Sequence, residues 1–374
     1  MNNMKLTTLP WLEDNTIREG IGALLPQIPN IILGSEGDDL LKGSNGKDWV
    51  FGFAGNDIIK LGTPENDADT VFSGSGDDEI YTGDNATVFA GAGNDSLRMT
   101  ESSTIFMGDG DDRVDAGLDV HGHNTVFGGD GNDRIDFNYG IYWGIHYGID
   151  DPPREIMPED DVIYGGAGDD WITPMGENNL VHGDEGNDLI SVELLLQTPT
   201  DNGRLYGDDG DDKIYIVNEP FPGYNIGQLG THFNLDGGAG NDLLLSSSSG
   251  GDTLTGGSGN DVFLYEWVGA TSAKDPDIIT DFTFNEQEQD KIDLSELNES
   301  GYEYYDNLIG WEVDSDLTFI GYQPFSGNGK EVRLEHTAEG TNVEVDPFVE
   351  PSAELFQIQL VGVTQELTQE AFIL

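Results

Sequence analysis

The sequence predicts an all-β chain wound into a solenoid of short strands, and three observations carry that reading. From Gly34 the chain reads GSEGDDLLK, GSNGKDWVF and GFAGNDIIK, consecutive nonapeptides with Gly at positions 1 and 4, Asp at 6 and an apolar residue at 8. Nine further copies begin at Ser73, Ala90, Met107, Gly128, Gly165, Gly183, Gly207, Gly237 and Gly256, and self-similarity at a fixed period marks stacked repeats. Second, position 8 is apolar in every copy: Leu41, Val50, Ile59, Ile80, Leu97, Val114, Ile135, Ile172, Ile190, Ile214, Leu244 and Phe263. A short strand over positions 7–9 points that residue inward and builds a buried ladder. Third, 36% hydrophobic and 10% aromatic residues are too many for a solvated tail, although high charge and abundant Gly are the usual signature of disorder.

The charge excludes several roles. The 374 residues hold 72 Asp+Glu against 15 Lys+Arg, a formal charge of −57. Such a surface repels phosphate backbones and anionic lipid, so neither nucleic acid nor a membrane is an expected partner. There is no Cys, hence no disulfide framework and no thiolate metal site. No stretch approaches the ~20 apolar residues of a membrane span. Residues 1–33 read as an N-terminal cap, in which Trp11, Leu12, Ile17, Ile21, Leu24 and Leu25 cover an open core end; no signal-peptide core is evident there.

The turns at 34–264 resemble the nonapeptide of the RTX (repeats-in-toxin), hemolysin-type calcium-binding family. That resemblance implies a parallel β-roll with two nonapeptides per coil and calcium shared between successive turns. The residue chemistry is compatible with it. Glycines permit positive φ and close backbone approach, while Asp and turn carbonyls offer the oxygens a hard cation takes.

Spacing separates two edges of this roll. After Gly52 the clear turns are about 18 residues apart, or 18 plus an insertion, and a degenerate half-coil lies between each pair. One edge therefore collects Asp39, Asp57, Asp78, Asp95, Asp112, Asp133, Asp170, Asp188, Asp212, Asp242 and Asp261 as metal ligands. The other has Asp48, with Asp69, Asp161 and Asp252 as weaker ligands, and elsewhere Ala86, Ser103, Asn124, Asn179, Gly203 or Phe233. About ten to twelve calcium ions are expected in all.

The long insertions, 137–160, 192–204 and 216–234, all fall on that second edge, as do His121, His123, His146, His182 and His232. Loops on a rigid scaffold commonly carry recognition. Tyr139, Tyr142, Trp143, His146, Tyr147, Phe221 and Tyr224 form the candidate ligand face for an extracellular polysaccharide or a surface protein; equally, the aromatics cap the core where turns have lost their metal. An enzymatic alternative is a polysaccharide-modifying site using Asp150, Asp151 or His146 as acid or base. No H-E-x-x-H, G-x-S-x-G or P-loop motif occurs, so the reading leans to a non-enzymatic binding or matrix protein.

Residues 265–374 form the C-terminal cap. The segment DIITDFTFNEQEQDKIDLSEL is similar to the one closing the roll in serralysin-type proteases and mannuronan epimerases, and LTQEAFIL is similar to the ends of such chains. In that family the C-terminus is read by a type I exporter, which implies an extracellular, secreted protein.

Overall fold

The computed structural model describes residues 29–61, 68–116, 122–137, 160–174, 178–193, 203–217, 232–246, 251–266, 270–298, 317–346 and 355–374. They form two parallel sheets facing each other across one core. Each coil places one strand in a 16-stranded sheet and the next in a 13-stranded sheet. The chain runs from Asn30–Leu33 to Leu40–Lys42, back to Asp48–Ala54, on to Ile58–Lys60, and so forward. This is the parallel β-roll expected of the repeat.

Register is kept from coil to coil because every strand presents the same inward residue. In the 16-stranded sheet Val50 pairs Val71, which pairs Val88, then Ile105, Val126 and Ile163. In the other sheet Ile59 pairs Ile80, then Leu97, Val114, Ile135 and Ile172. All twelve position-8 residues are buried, the most exposed being Leu41 at 7%. A one-residue slip would turn this apolar column outward, so burial alone fixes the register.

Alternation sends the residue after each inward Val or Ile of the 16-stranded sheet to its outer face. There Phe51, Phe72, Phe89, Phe106, Phe127, Tyr164, His182 and Tyr206 stack ring on ring, with centroids 4.6–5.2 Å apart and planes within 9°. Parallel sheets normally need cover on both faces. Here the rings cover the outer face by packing against one another along the axis, since adjacent parallel strands lie a ring's stacking distance apart.

The coil pattern continues beyond Leu264. Asp277–Ile279 joins the 16-stranded sheet and Lys291–Asp293 the other. Phe356–Val361 then adds parallel to Asp277–Ile279, and Gly340–Asp346 and Glu331–His336 follow as an antiparallel meander. Phe372–Ile373 pairs with Lys291–Asp293 in the 13-stranded sheet. The open sheet edges left by the last coil are thereby paired.

Candidate metal centre

The turn from the 16-stranded to the 13-stranded sheet is where the glycines and aspartates of the repeat meet. Its first two glycines lie in the last part of a strand (Gly165 and Gly166 in Val162–Ala167), the second and third adopt positive φ (+115° at Gly166 and +134° at Gly168), and position 6 then carries its Asp back under the turn. At Gly166 a side chain would collide with the carbonyl of Gly129 in the preceding coil. Glycine here is a demand of coil stacking.

The position-6 aspartates form a column. The Asp133 amide donates to Asp170 Oδ1 at 2.6 Å, that of Asp170 to Asp188 Oδ1 at 2.8 Å, and that of Asp188 to Asp212 Oδ1 at 2.8 Å. The same bond joins Asp39 to Asp57 at one end and Asp242 to Asp261 at the other. Asp290 ends the series: its Oδ1 accepts from the Asp261 amide at 3.1 Å and its Oδ2 from Thr283 at 2.6 Å. Each carboxylate thus uses one oxygen to bind coil to coil.

The second oxygen has no partner. Oδ2 of Asp57, Asp78, Asp95, Asp112, Asp133, Asp170, Asp188, Asp212, Asp242 and Asp261 is buried without a hydrogen bond. Buried carboxylate oxygens are normally satisfied, and leaving one bare is costly. A Cβ built on Gly165 would strike both Asp170 Oδ2 and the Gly183 carbonyl oxygen, and the same pair of oxygens recurs at Gly183, Gly207 and Gly237. The space beside each first glycine is therefore lined by a carboxylate and a main-chain carbonyl. Ser73, Ala90 and Met107 bring side chains to that position in three coils.

Burial acts on these groups strongly. It pushes Asp95, Asp112, Asp133, Asp188 and Asp242 up to about 7 and Asp170 to about 8, against the pull of the backbone amides. Asp212 and Asp261 reach about 6 for the same reason. Desolvation disfavours the charged form unless a cation or further donors compensate. An unpartnered carboxylate oxygen beside a main-chain carbonyl oxygen, as at Gly165, Gly183, Gly207 and Gly237, fits a hard divalent cation such as calcium, which takes oxygen ligands only.

A second ladder runs beside the first in the opposite direction. The Asp77 amide donates to Asn56 Oδ1 at 3.0 Å, Asn94 to Asp77 at 2.9 Å, Asp111 to Asn94 at 3.0 Å and Asn132 to Asp111 at 3.0 Å. These position-5 residues alternate Asp and Asn from Asp38 to Asn241 and continue with Asn260, so adjacent coils never place two carboxylates together in this ladder. Nothing in the sequence reading assigned them a role; the signal was the alternation itself.

The opposite edge is different in kind. Asp48 accepts from Ser44 and Asn30, and Asp252 from Ser246 and the Phe233 amide. Asp69 accepts from the Asp48 amide at 2.8 Å. Asp39, at the start of the first edge, also has its Oδ2 taken, by the Ser35 amide and hydroxyl. Only Asp161 and Asp277 keep an unpartnered, buried Oδ2 on the second edge among the described residues. Asp277 and Asp290 were not among the candidate ligands, although DIITDF and DKIDLS contain them. Asp281 of the same segment caps two amides, those of Gly256 and Gly257, at 3.0 and 2.8 Å.

The candidate ligand face, Tyr139, Tyr142, Trp143, His146, Tyr147, Phe221 and Tyr224, lies outside the described residues, as do Asp150, Asp151 and His121. The strands flanking the insertions are described. Arg134–Asp136, Leu189–Glu193 and Lys213–Val217 leave the 13-stranded sheet, and Val162–Ala167, Arg204–Asp209 and Asn234–Ala239 re-enter the 16-stranded one. The described histidines do not converge. His123 faces Asp160 at 3.8 Å, His232 binds the Gly251 carbonyl at 2.9 Å, and His182 sits in the ring column on the sheet face.

Residues 225–374 match the family described as Peptidase M10 serralysin C terminal. Residues 30–63, 65–97, 122–138 and 158–190 match the RTX calcium-binding nonapeptide repeat. No curated protein matches the chain. Among solved structures, a hyperactive, Ca2+-dependent, β-helical antifreeze protein from an Antarctic bacterium is similar at 19% identity over 70% of this chain and 78% of that one, with a TM-score of 0.40. A subunit of the Azotobacter vinelandii mannuronan C5-epimerase is similar at 24% identity over 50% of this chain and 80% of that one, with a TM-score of 0.24. Proteins of the two matched families are typically secreted, and no helix among the described residues is long and apolar enough to cross a membrane. Over the residues matched, the chain is thus similar to RTX calcium-binding nonapeptide repeats and, from residue 225 on, to the serralysin C-terminal region.

Proposed function

We propose that the position-6 aspartates are calcium ligands, and that the protein is an extracellular β-roll which folds on meeting calcium and serves a non-enzymatic binding or surface-matrix role. The observation that carries this reading is the row of ten buried Asp Oδ2 atoms without partners. With Asp161 and Asp277 on the other edge, it supports a complement of about ten to twelve ions.

The chain's own residues do the positioning. Each Asp Oδ1 is held by the amide of the coil before it, so Oδ2 is aimed without further adjustment at the space beside the first glycine. In seven of the ten turns position 1 is glycine and leaves the space clear, while Ser73, Ala90 and Met107 stand there in the other three; at Gly165, Gly183, Gly207 and Gly237 the carbonyl of the next turn supplies the opposing oxygen. Bound calcium supplies the positive charge and the six to eight oxygen contacts that make this stack of carboxylates tolerable. Without it, ten desolvated carboxylates face one another along one edge, and the extended chain is favoured. Binding free energy is then folding free energy, and calcium sites of extracellular modules, with Kd of about 10⁻⁴–10⁻³ M, suit a chain exported unfolded through a type I exporter. The insertions that open from the second edge are the natural place for a polysaccharide or protein ligand, because that edge is less committed to metal.

Circular dichroism of the full chain tests the first part. Little structure in chelator and β structure in millimolar calcium are expected; a β spectrum that survives excess chelator overturns the reading. A glycan array with a turnover assay tests the second: retention without product is expected, whereas product formation replaces the binding role with an enzymatic one.

A further inference from the structure

We propose that His182, Asp184 and Asp208 form a separate metal site on the outer face of the 16-stranded sheet, suited to a borderline first-row divalent ion such as zinc rather than to calcium. The three side chains can each offer one ligand atom, and those atoms all lie within 4.8 Å of one another. His182 Nδ1 stands 2.7 Å from Asp208 Oδ2. Asp184 follows His182 by two residues and so shares its face, and Asp208 is the register partner of Asp184 on the neighbouring strand. The ligands therefore come from two adjacent strands of a rigid sheet, with Asp184 and Asp208 at the second position of the repeats that lead into Asp188 and Asp212.

The imidazole is held in place on both sides. Tyr164 stacks on His182 at 5.2 Å and Tyr206 at 4.6 Å, so this coil puts a nitrogen donor where five coils before Tyr164 put a phenyl ring. The two aspartates are equally out of pattern. Glycine occupies their place in other coils (Gly74, Gly91, Gly108, Gly129, Gly166, Gly238 and Gly257), and a Cβ at Gly166 or Gly238 would strike the preceding coil's backbone. Asp184 and Asp208 fit by drawing φ in to 73° and 72°. Carboxylates thus replace glycine in the coil that carries the one histidine of the ring column and in the coil after it.

A simple imidazole–carboxylate pair would need one of these acids. Asp208 already serves that purpose, and Asp184 is surplus: burial, and then the charge of Asp208, push its carboxyl up. One nitrogen and two carboxylate oxygens around a common point are the ligands of zinc or a neighbouring first-row ion. Calcium takes oxygen alone. Three protein ligands also leave a coordination position for water or for a group on a partner.

The test uses untagged full-length protein in excess calcium, titrated with zinc chloride by calorimetry and with cobalt(II) by visible absorption. One equivalent of zinc and a cobalt spectrum with nitrogen ligation are expected. His182→Phe, Asp184→Gly and Asp208→Gly each restore what other coils carry at that place, so the calcium-dependent β spectrum should stay intact. Each should weaken zinc binding by about tenfold or more, since even outer-shell changes at metal sites cost about 10–100-fold. No zinc uptake by the folded protein, or uptake unchanged in the triple variant, overturns the proposal. Because every measurement is made on calcium-folded chain, a failure here leaves the reading of the turn aspartates untouched.

Discussion

Asp170→Asn probes the aspartate column at its most strongly perturbed member. The amide keeps Oδ1, so the 2.6 Å bond from the Asp133 amide survives, as does the 2.8 Å bond from the Asp170 amide to Asp188. What changes is the buried, unpartnered Oδ2, which becomes a neutral NH2. In chelator the variant has one fewer carboxyl to desolvate, at a position where burial pushes the pKa to about 8, so its metal-free fold should be no less stable than the parent's. In calcium the sign reverses. At about 10 mM free ion and a Kd of about 10⁻⁴ M, one site contributes about 2.7 kcal/mol to folding, and losing a carboxylate ligand forfeits up to that amount. The assay is a calcium titration followed by circular dichroism, with denaturant melts in saturating calcium. A higher calcium midpoint together with a loss of up to that amount in the melts is expected. An unchanged calcium midpoint would mean that Asp170 is only a hydrogen-bonding strut, which the amide replaces, and would refute the metal assignment at this turn.

Three further outcomes follow from the same geometry. Burial pushes Asp95, Asp112, Asp133, Asp170, Asp188, Asp212, Asp242 and Asp261 up to about 6–8 from 3.8, so their contribution to the stability of the metal-free fold is fully present below about pH 4 and is lost as pH rises through 6–8. Calcium requires the unprotonated form, so the calcium midpoint for β structure should fall as pH rises from 5 to 8; a midpoint independent of pH would contradict this. Phe89→Ala removes two stacks, to Phe72 and Phe106, each at 5.0 Å, and at about 0.5–1.5 kcal/mol per pair it should cost about 1–3 kcal/mol in denaturant melts of calcium-loaded protein. An unchanged melt would show that the ring column is incidental. Asn94→Asp would set carboxylates in three successive coils with Asp77 and Asp111; a destabilisation of up to about 1 kcal/mol that high salt removes is expected, and salt-independent loss would point to the hydrogen bond instead.

Much of the fold is readable from the chain because the repeat makes local and global structure the same problem. A coil contacts its neighbours along the axis, so the apolar residue at position 8 states both the strand and its burial, and Ile59, Ile80 and Leu97 need no distant information to find one another. The column aspartates were legible for the same reason. Asp277 and Asp290 were less so, since the glycines that flag a turn are missing around them. The repeat pattern also does not show that Asp39, Asp48 and Asp252 have their carboxylates occupied by Ser side chains nearby in the chain.

By itself, the sequence determined the all-β coil, its two edges and the oxygen-rich turns, because a period of nine residues repeats every physical constraint in phase. Only the tertiary structure decided which oxygen of each aspartate binds the neighbouring coil and which is left bare. It also decided that the residue after each inward Val or Ile joins a ring column, and that Asp184 meets Asp208 across 24 residues. These depend on register between coils whose connecting segments differ in length, and parallel pairing sets that register by burying the apolar column whatever the loop between.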